Sequence, residues 1–223
     1  MTRRMIVPLL FGLLGAAVLI GLGSWQVQRM AWKQGVLAEI AVRIAAAPVA
    51  LPAVPDPVAD RYLPVTVAGR FTGEGLEVLA SARQIGAGYR VIAVLETAEG
   101  RRVLVDRGFL RDADHALPRV AGAVQVTGNL HWPQETDSFT PPPDTGRNLW
   151  FARDVVAMAA ALKTEPTFIV ASAPTGDGIE PMRVDGSAIP NDHLSYAITW
   201  FSLAVVWLGM TVLLLWRIRR RTH

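Results

Sequence analysis

The 223-residue chain contains no cysteine. That single absence excludes disulfide staples, thiolate metal ligands and a cysteine nucleophile. Any domain it builds must therefore rest on a packed core. The six methionines (1, 5, 30, 158, 182 and 210) are scattered, and the four histidines (115, 131, 193 and 223) show no i, i+3 or i, i+4 pairing. Soft-metal delivery is disfavoured on that ground, and no copper or zinc site is expected. Gly-x-Ser-x-Gly is missing, and the glycines of "TGEG" and "GAG" read as turn residues that complete no phosphate-binding fingerprint. Asp112 and Asp114 beside His115 follow a strand in a polar loop, where a solvated turn explains them better than acid–base work. The chain is read as not being an enzyme.

Acidic residues are missing from both ends. All nineteen lie between Ser24 and Tyr196, where sixteen Lys and Arg leave the segment acidic by three. Arg3, Arg4, Arg217, Arg219, Arg220 and Arg221 stand outside it, so the overall +3 and the pI near 9.8 come from two short tails. A nucleic-acid partner is excluded by the slightly acidic middle. The terminal "RIRRR" reads instead as a contact with anionic membrane lipid.

Charge is missing again from two long runs, Met5 to Gly23 and Ile198 to Trp216, nineteen residues each. At the helical rise each is roughly 28 Å long, close to the hydrocarbon thickness of a bilayer. The mean hydropathy of +0.30 is concentrated there. Both are read as transmembrane helices. A cleaved signal peptide is the rival for the first, but its apolar part exceeds the usual h-region and no small-residue cleavage site follows promptly. Four residues ahead of the run leave no room for a mitochondrial transit peptide. Basic tails stay in the cytoplasm, which places both termini inside and the middle outside. The expected location is a bacterial inner membrane, multi-pass, with a periplasmic central domain.

The chain then divides as a cytoplasmic N-terminus (1–4), transmembrane helix (5–23), juxtamembrane helix (24–47) and proline-rich linker (48–59). A periplasmic β-rich domain (60–190), a juxtamembrane helix start (191–197), a second transmembrane helix (198–216) and a basic cytoplasmic tail (217–223) follow. Inside the domain the apolar period is two. "YLPVTVAGRF", "LEVLASARQ", "GYRVIAVLET", "RRVLVDRGFL" and "AVQVTGNLHW" are strand-like, with "PTFIVAS" a sixth run and Glu99-Gly100 a hairpin turn. "ARDVVAMAAALK" reads as a short helix. The fold class is a membrane α+β protein: two transmembrane helices flanking an antiparallel β domain, a partial barrel, with one short helix packed on it.

The stretch "IPNDHLSYAITWF" holds the most pointed candidate. Pro190 and Asn191 suit a helix start, which puts His193 in the first turn of the second anchor. A neutral imidazole there can ligate a metal. Tyr196 and Trp200 follow at i+3 and i+7. On the first helix Gln26, Arg29 and Lys33 share one face, with Trp25 and Trp32 on an adjoining one. Two readings stay open for both sets: an interfacial belt of aromatic and basic side chains, matched by Trp216 sixteen residues and roughly 24 Å below Trp200, or a docking face for a cofactor or partner.

Four blocks of sequence resemble the Surfeit-locus family of cytochrome oxidase assembly proteins. "PNDHLSYAITWFSLA" is similar to its C-terminal signature. Gly23, Trp25, Gln26 and Arg29 are similar to its Gly-x-Trp-Gln-x-x-Arg segment. Gly88, Val91, Val103, Leu104, Val105, Arg107 and Gly108 follow its central hairpin. Phe139, Thr140, Pro141, Asn148, Trp150, Arg153, Asp154, Met158 and Ala159 follow its Phe-Thr-Pro block. The matches run in order from Gly23 to Ala204 in a two-anchor topology. Asp192, Phe109 and Ala93 depart from the residues usual in the family (asparagine, tryptophan and proline). The resemblance implies a membrane-anchored assembly factor for a haem–copper terminal oxidase, acting when haem a enters the catalytic subunit. On that reading His193 contacts haem iron, Trp25, Tyr196 and Trp200 pack the macrocycle, and Arg29 or Lys33 pairs with the propionates. Partners would be the catalytic subunit, the haem a synthesis machinery and membrane lipid. The alternative is a cofactor-free scaffold that holds an oxidase subunit during assembly. A generic envelope sensor is disfavoured, since no cytoplasmic output domain is present.

Overall fold

A computed structural model describes residues 3–82, 86–115, 119, 121–185 and 192–220. It divides into two units, Met1–Glu39 with Gly186–His223, and Ile40–Asp185.

The first unit is built on two helices, α1 (Arg3–Ile44) and α3 (His193–Arg220). Both are long and apolar enough to cross a membrane. Only 11% and 6% of their most apolar stretches are buried, so their side chains face outward, which fits a membrane protein better than a core helix. The two pack antiparallel along a seam legible as a heptad. On α3 it reads His193, Ala197, Trp200, Ala204, Trp207 and Thr211, in alternating steps of four and three. Facing it, α1 supplies small residues. A Cβ on Gly12 would stand 2.2 Å from Thr211 Cγ2, and one on Gly23 2.7 Å from the Phe201 ring. Ala16, Ala197 and Ala204 are buried in the same seam. Small residues let two backbones approach where lipid supplies no hydrophobic drive. One polar bond accompanies the packing, since Trp207 Nε1 donates to the Gly12 carbonyl at 2.9 Å.

The second unit is a mixed sheet of seven strands. These are β1 (Val49–Ala50), β2 (Pro64–Ala82), β3 (Gly86–Thr97), β4 (Arg102–Arg111), β5 (Gly122–Leu130), β6 (Leu149–Trp150) and β7 (Phe168–Ala171). β2, β3 and β4 form an antiparallel meander, and β7 runs parallel to β4 and antiparallel to β5. β5 then pairs with the first half of β2, from Pro64↔Asn129 to Phe71↔Gly122, so the ladder returns to the strand on which it began. The Glu99-Gly100 turn joins β3 to β4, with Gly100 at φ +78 and its N–H donated to the Thr97 carbonyl at 3.0 Å.

Three expectations need correction. "TGEG" is not a turn between two strands. The runs on either side are one 19-residue strand, β2, with an irregularity between Phe71 and Gly75 and Gly73 at φ +88. A bulge bends a strand without reversing it; β2 leaves β5 there, while its pairing with β3, begun at Gly69, continues beyond it. The sheet is not antiparallel throughout, because β1 and β6 pair parallel with β2 as β7 does with β4. A strand delivered by a crossover that includes a helix can enter parallel to its neighbour, as β7 does after α2 (Val155–Leu162). The proline-rich stretch is also more than a connector, since Val49 and Ala50 pair with Val65 and Thr66.

The core has two faces. Val103 and Val105 of β4 enter one cluster with Leu95, Val126 and Ile169, while Leu104 enters the other with Ile92, Phe168 and Met158. A strand covered on both sides reads as an unbroken apolar run, which is why "VLV" shows no polar alternation. α2 covers the second face through Val155, Met158 and Ala159. Asp154 caps its start, accepting the Ala157 N–H at 3.0 Å. Buried Asn129 donates at 3.1 Å to the carbonyls of Ile44 and Tyr62, satisfying an orphan carbonyl at the end of α1.

Candidate functional site

α3 begins at His193 itself; Pro190 and Asn191, read as its helix start, lie outside the described residues. The Asp192 carbonyl accepts the Tyr196 N–H at 3.3 Å. The imidazole points across the seam. Its Nδ1 lies 2.8 Å from Oε1 of Gln26, in the middle of α1. An amide oxygen can only accept, so Nδ1 carries the proton and Nε2 presents a lone pair in the neutral ring. Among the described residues Nε2 has no hydrogen-bond partner. The two ends of the chain thus meet at one polar pair at the top of an apolar seam.

Of the other candidates, Trp200 is half-buried on the seam face of His193. Tyr196 and Trp25 stand off the seam, 56% and 55% exposed, with their rings open to a ligand. Arg29 lies beyond Gln26 with its guanidinium 4.0 Å over the Trp32 ring, a cation–π contact that fixes it near the helix surface. Lys33, one turn further, is half-buried. The geometry brings His193 together with Gln26, which sequence reasoning had placed on the face of Arg29 and Lys33 without giving it a part. Its signal was its place in the Gly-x-Trp-Gln-x-x-Arg segment.

The second unit holds polar groups of a different kind. Asp106, fully buried, receives Arg90 at 2.7 Å and Arg153 at 3.1 Å on one oxygen, and the Gly108 N–H at 3.1 Å on the other. Arg153 continues to Glu135. Burial pushes the nearby His131 imidazole down to about 4, helped by the charges of Arg153 and Arg61. Asp112 accepts from the Tyr89 hydroxyl at 3.1 Å, and His115 Nε2 lies 2.6 Å from buried Glu77, which also receives Arg119. These groups neutralise one another in pairs and triads. Among the described residues no three His, Cys, Asp or Glu converge to hold a bare metal ion.

Comparison with known proteins follows the same span. Residues 13–205 match the SURF1 family. The chain is similar to "Surfeit locus protein 1" of Mus musculus, at 32% identity over 219 residues covering 86% of this chain and 71% of the relative. The Homo sapiens protein of that name is 33% identical over 82% of this chain and 69% of its own. The "SURF1-like protein" of Monosiga brevicollis is 31% identical over 88% and 83%.

Proposed function

The chain belongs to the SURF1 family, which implies a role in cytochrome oxidase assembly, and we propose that its part is to hold haem a on its way into the catalytic subunit. The observation that carries this reading is the His193–Gln26 pair. A histidine that ligates metal typically donates its other ring N–H to a fixed acceptor, which sets its tautomer and orientation. Gln26 offers such an acceptor to Nδ1 of His193, which leaves Nε2 as the ring nitrogen with a lone pair. One imidazole with no further ligands converging on it among the described residues suits haem, whose macrocycle brings its own four nitrogens, better than a bare ion. Trp25, Tyr196 and Trp200 offer flat apolar surface around the ring, and Arg29 and Lys33 offer cations to the propionates on the basic side. Haem a is cargo on this reading, and the protein performs no chemistry on it. The anchors lie in a bacterial inner membrane with both termini cytoplasmic, and the partners are the oxidase catalytic subunit, the haem a synthesis machinery and lipid.

The test is an absorption spectrum of the detergent-purified protein, co-expressed with haem a synthesis, beside His193→Ala. A stoichiometric Soret band lost in the variant is the expected result. A colourless wild type on which oxidase assembly still depends would overturn it.

A cofactor-free scaffold is the second reading, and one observation favours it. Phe139 is 89% exposed, yet Asp137 holds its turn by accepting the Phe139 N–H at 2.8 Å and the Thr140 hydroxyl at 3.0 Å. A large apolar side chain on an ordered loop suits a protein contact. Under this reading Phe139→Ala abolishes co-purification of the oxidase subunit, and His193→Ala does not.

A further inference from the structure

Beside the His193–Gln26 pair the two helices leave more apolar surface open than an iron ligand requires. In a heptad-packed pair, positions seven apart fall on one line. On α1 one such line reads Phe11, Val18 and Trp25, and on α3 another reads Tyr196, Leu203 and Met210. Between the lower members of these lines runs an apolar groove in two adjoining stretches of about 600 and about 570 Å³. The stretches share Phe11, Trp207 and Met210. The upper one has walls of Val18 and Leu203, and the lower ends at Arg217. The Trp207 N–H is spent on the Gly12 carbonyl, so its indole brings no free donor to the groove. Trp25 and Tyr196, the upper members of the same lines, place the proposed macrocycle contacts on the groove's own side of the seam.

We propose that this groove takes the isoprenoid tail of haem a, and that the tail, more than the iron ligand, makes the site prefer haem a to haem b. The inference rests on the haem reading of His193. Haem a carries a long farnesyl-derived chain on the edge of the macrocycle opposite its propionates; haem b lacks the chain. The site has the same polarity along its length. Arg29 and Lys33 lie past Gln26 toward the charged part of the chain, while Leu203 lies about 15 Å from His193 in the opposite direction along α3. A macrocycle ligated by His193 with propionates at Arg29 therefore directs its tail between Val18 and Leu203. Val18 and Leu203 are 55% and 46% exposed, so the groove is open along its outer side and the tail can enter laterally, without threading.

The full chain in detergent micelles is titrated with haem a and with haem b, followed by the Soret band, for the wild type and for Val18→Trp and Leu203→Trp. The substitutions fill the groove from exposed positions and leave His193 and Gln26 untouched. The wild type is expected to bind haem a about tenfold or more tightly than haem b, the order that extra apolar substrate groups give in a shaped pocket. Both variants are expected to lose that preference while keeping the haem b affinity, which also reports that they are folded. Equal affinities in the wild type would overturn the tail site and leave the haem reading standing. Binding of neither haem would remove the reading beneath it. Loss of co-purified phospholipid from the variants with an unchanged haem a preference would assign the groove to lipid and overturn the proposal. Equal wild-type affinities overturn the claim without any variant, so a misfolded substitution does not shelter it.

Discussion

The Nδ1 of His193 and the Oε1 of Gln26 lie 2.8 Å apart, across 167 positions of sequence. The bond ties the first residue of α3 to α1 and fixes which nitrogen of the ring is free. Gln26→Leu removes the acceptor while keeping an apolar stem of similar length. Haem affinity, read by Soret titration, is expected to fall about 10- to 100-fold, the usual cost of losing an outer partner of a metal ligand. Gln26→Glu, which keeps an acceptor oxygen, should restore most of it. Wild-type affinity in Gln26→Leu would take the pair out of the site.

The seam depends on glycine at specific places. Gly23→Leu sets a Cβ against the Phe201 ring, whereas at Gly21 nothing lies within 4 Å. Overpacking of this kind costs about 1–3 kcal/mol. Thermal unfolding in detergent should therefore show a lowered transition for Gly23→Leu and an unchanged one for Gly21→Leu. Equal transitions would mean that the helices do not pack along this line.

Asp106 carries the polar interior of the second unit. Asp106→Asn keeps the volume and removes the negative charge, leaving two guanidinium groups that are each about one-eighth exposed without their shared partner. Breaking a buried pair from one side costs about 3–5 kcal/mol. Denaturant midpoints of the full chain should move to match, and a shift below about 1 kcal/mol would show that Arg90 and Arg153 are compensated elsewhere.

His131 makes stability depend on pH in a definite direction. Its folded value lies near 4 against an ordinary 6.5, because burial and the Arg153 and Arg61 charges oppose the imidazolium. The unfolded chain therefore takes up a proton that the folded chain refuses. Stability is unaffected by this group above about 6.5 and falls as pH drops from there toward about 4. His131→Gln should flatten that part of the profile. An unchanged slope would assign the acid sensitivity to carboxylates instead.

The parts of this fold that could be read from sequence are those set by local pattern. Two uncharged runs, a Glu-Gly hairpin and an Asp-led helix each carry their cause within a few residues. What could not be read depends on partners far away. "TGEG" is compatible with a reversal or a bulge, and only the presence of β5 on one half of β2 and β3 on the other decides. β7 is an apolar run whose direction is set by the route of the chain through α2. At the site, His193 was visible as a pattern. Gln26 was not, because its importance lies in which histidine it reaches. The heptad on α3 was masked by reading Tyr196 with His193 at i+3, although the packed face steps from His193 to Ala197.

The partner switch within β2 sets an order on how the domain can be made. Residues 64–111 contain the whole β2–β3–β4 meander, whose pairings are local and can form as soon as that stretch leaves the ribosome. The first half of β2 then waits, with its N–H and C=O groups unpaired toward β5, until residues 122–129 are synthesised. The last gap, between β4 and β5, is filled only by residues 168–171. α3 starts little more than twenty residues after that strand ends. The second anchor is therefore translated just behind the strand that completes the ladder, and a stall or truncation before Phe168 leaves a chain tethered by α1 with two open strand edges. Such edges are sites of aggregation.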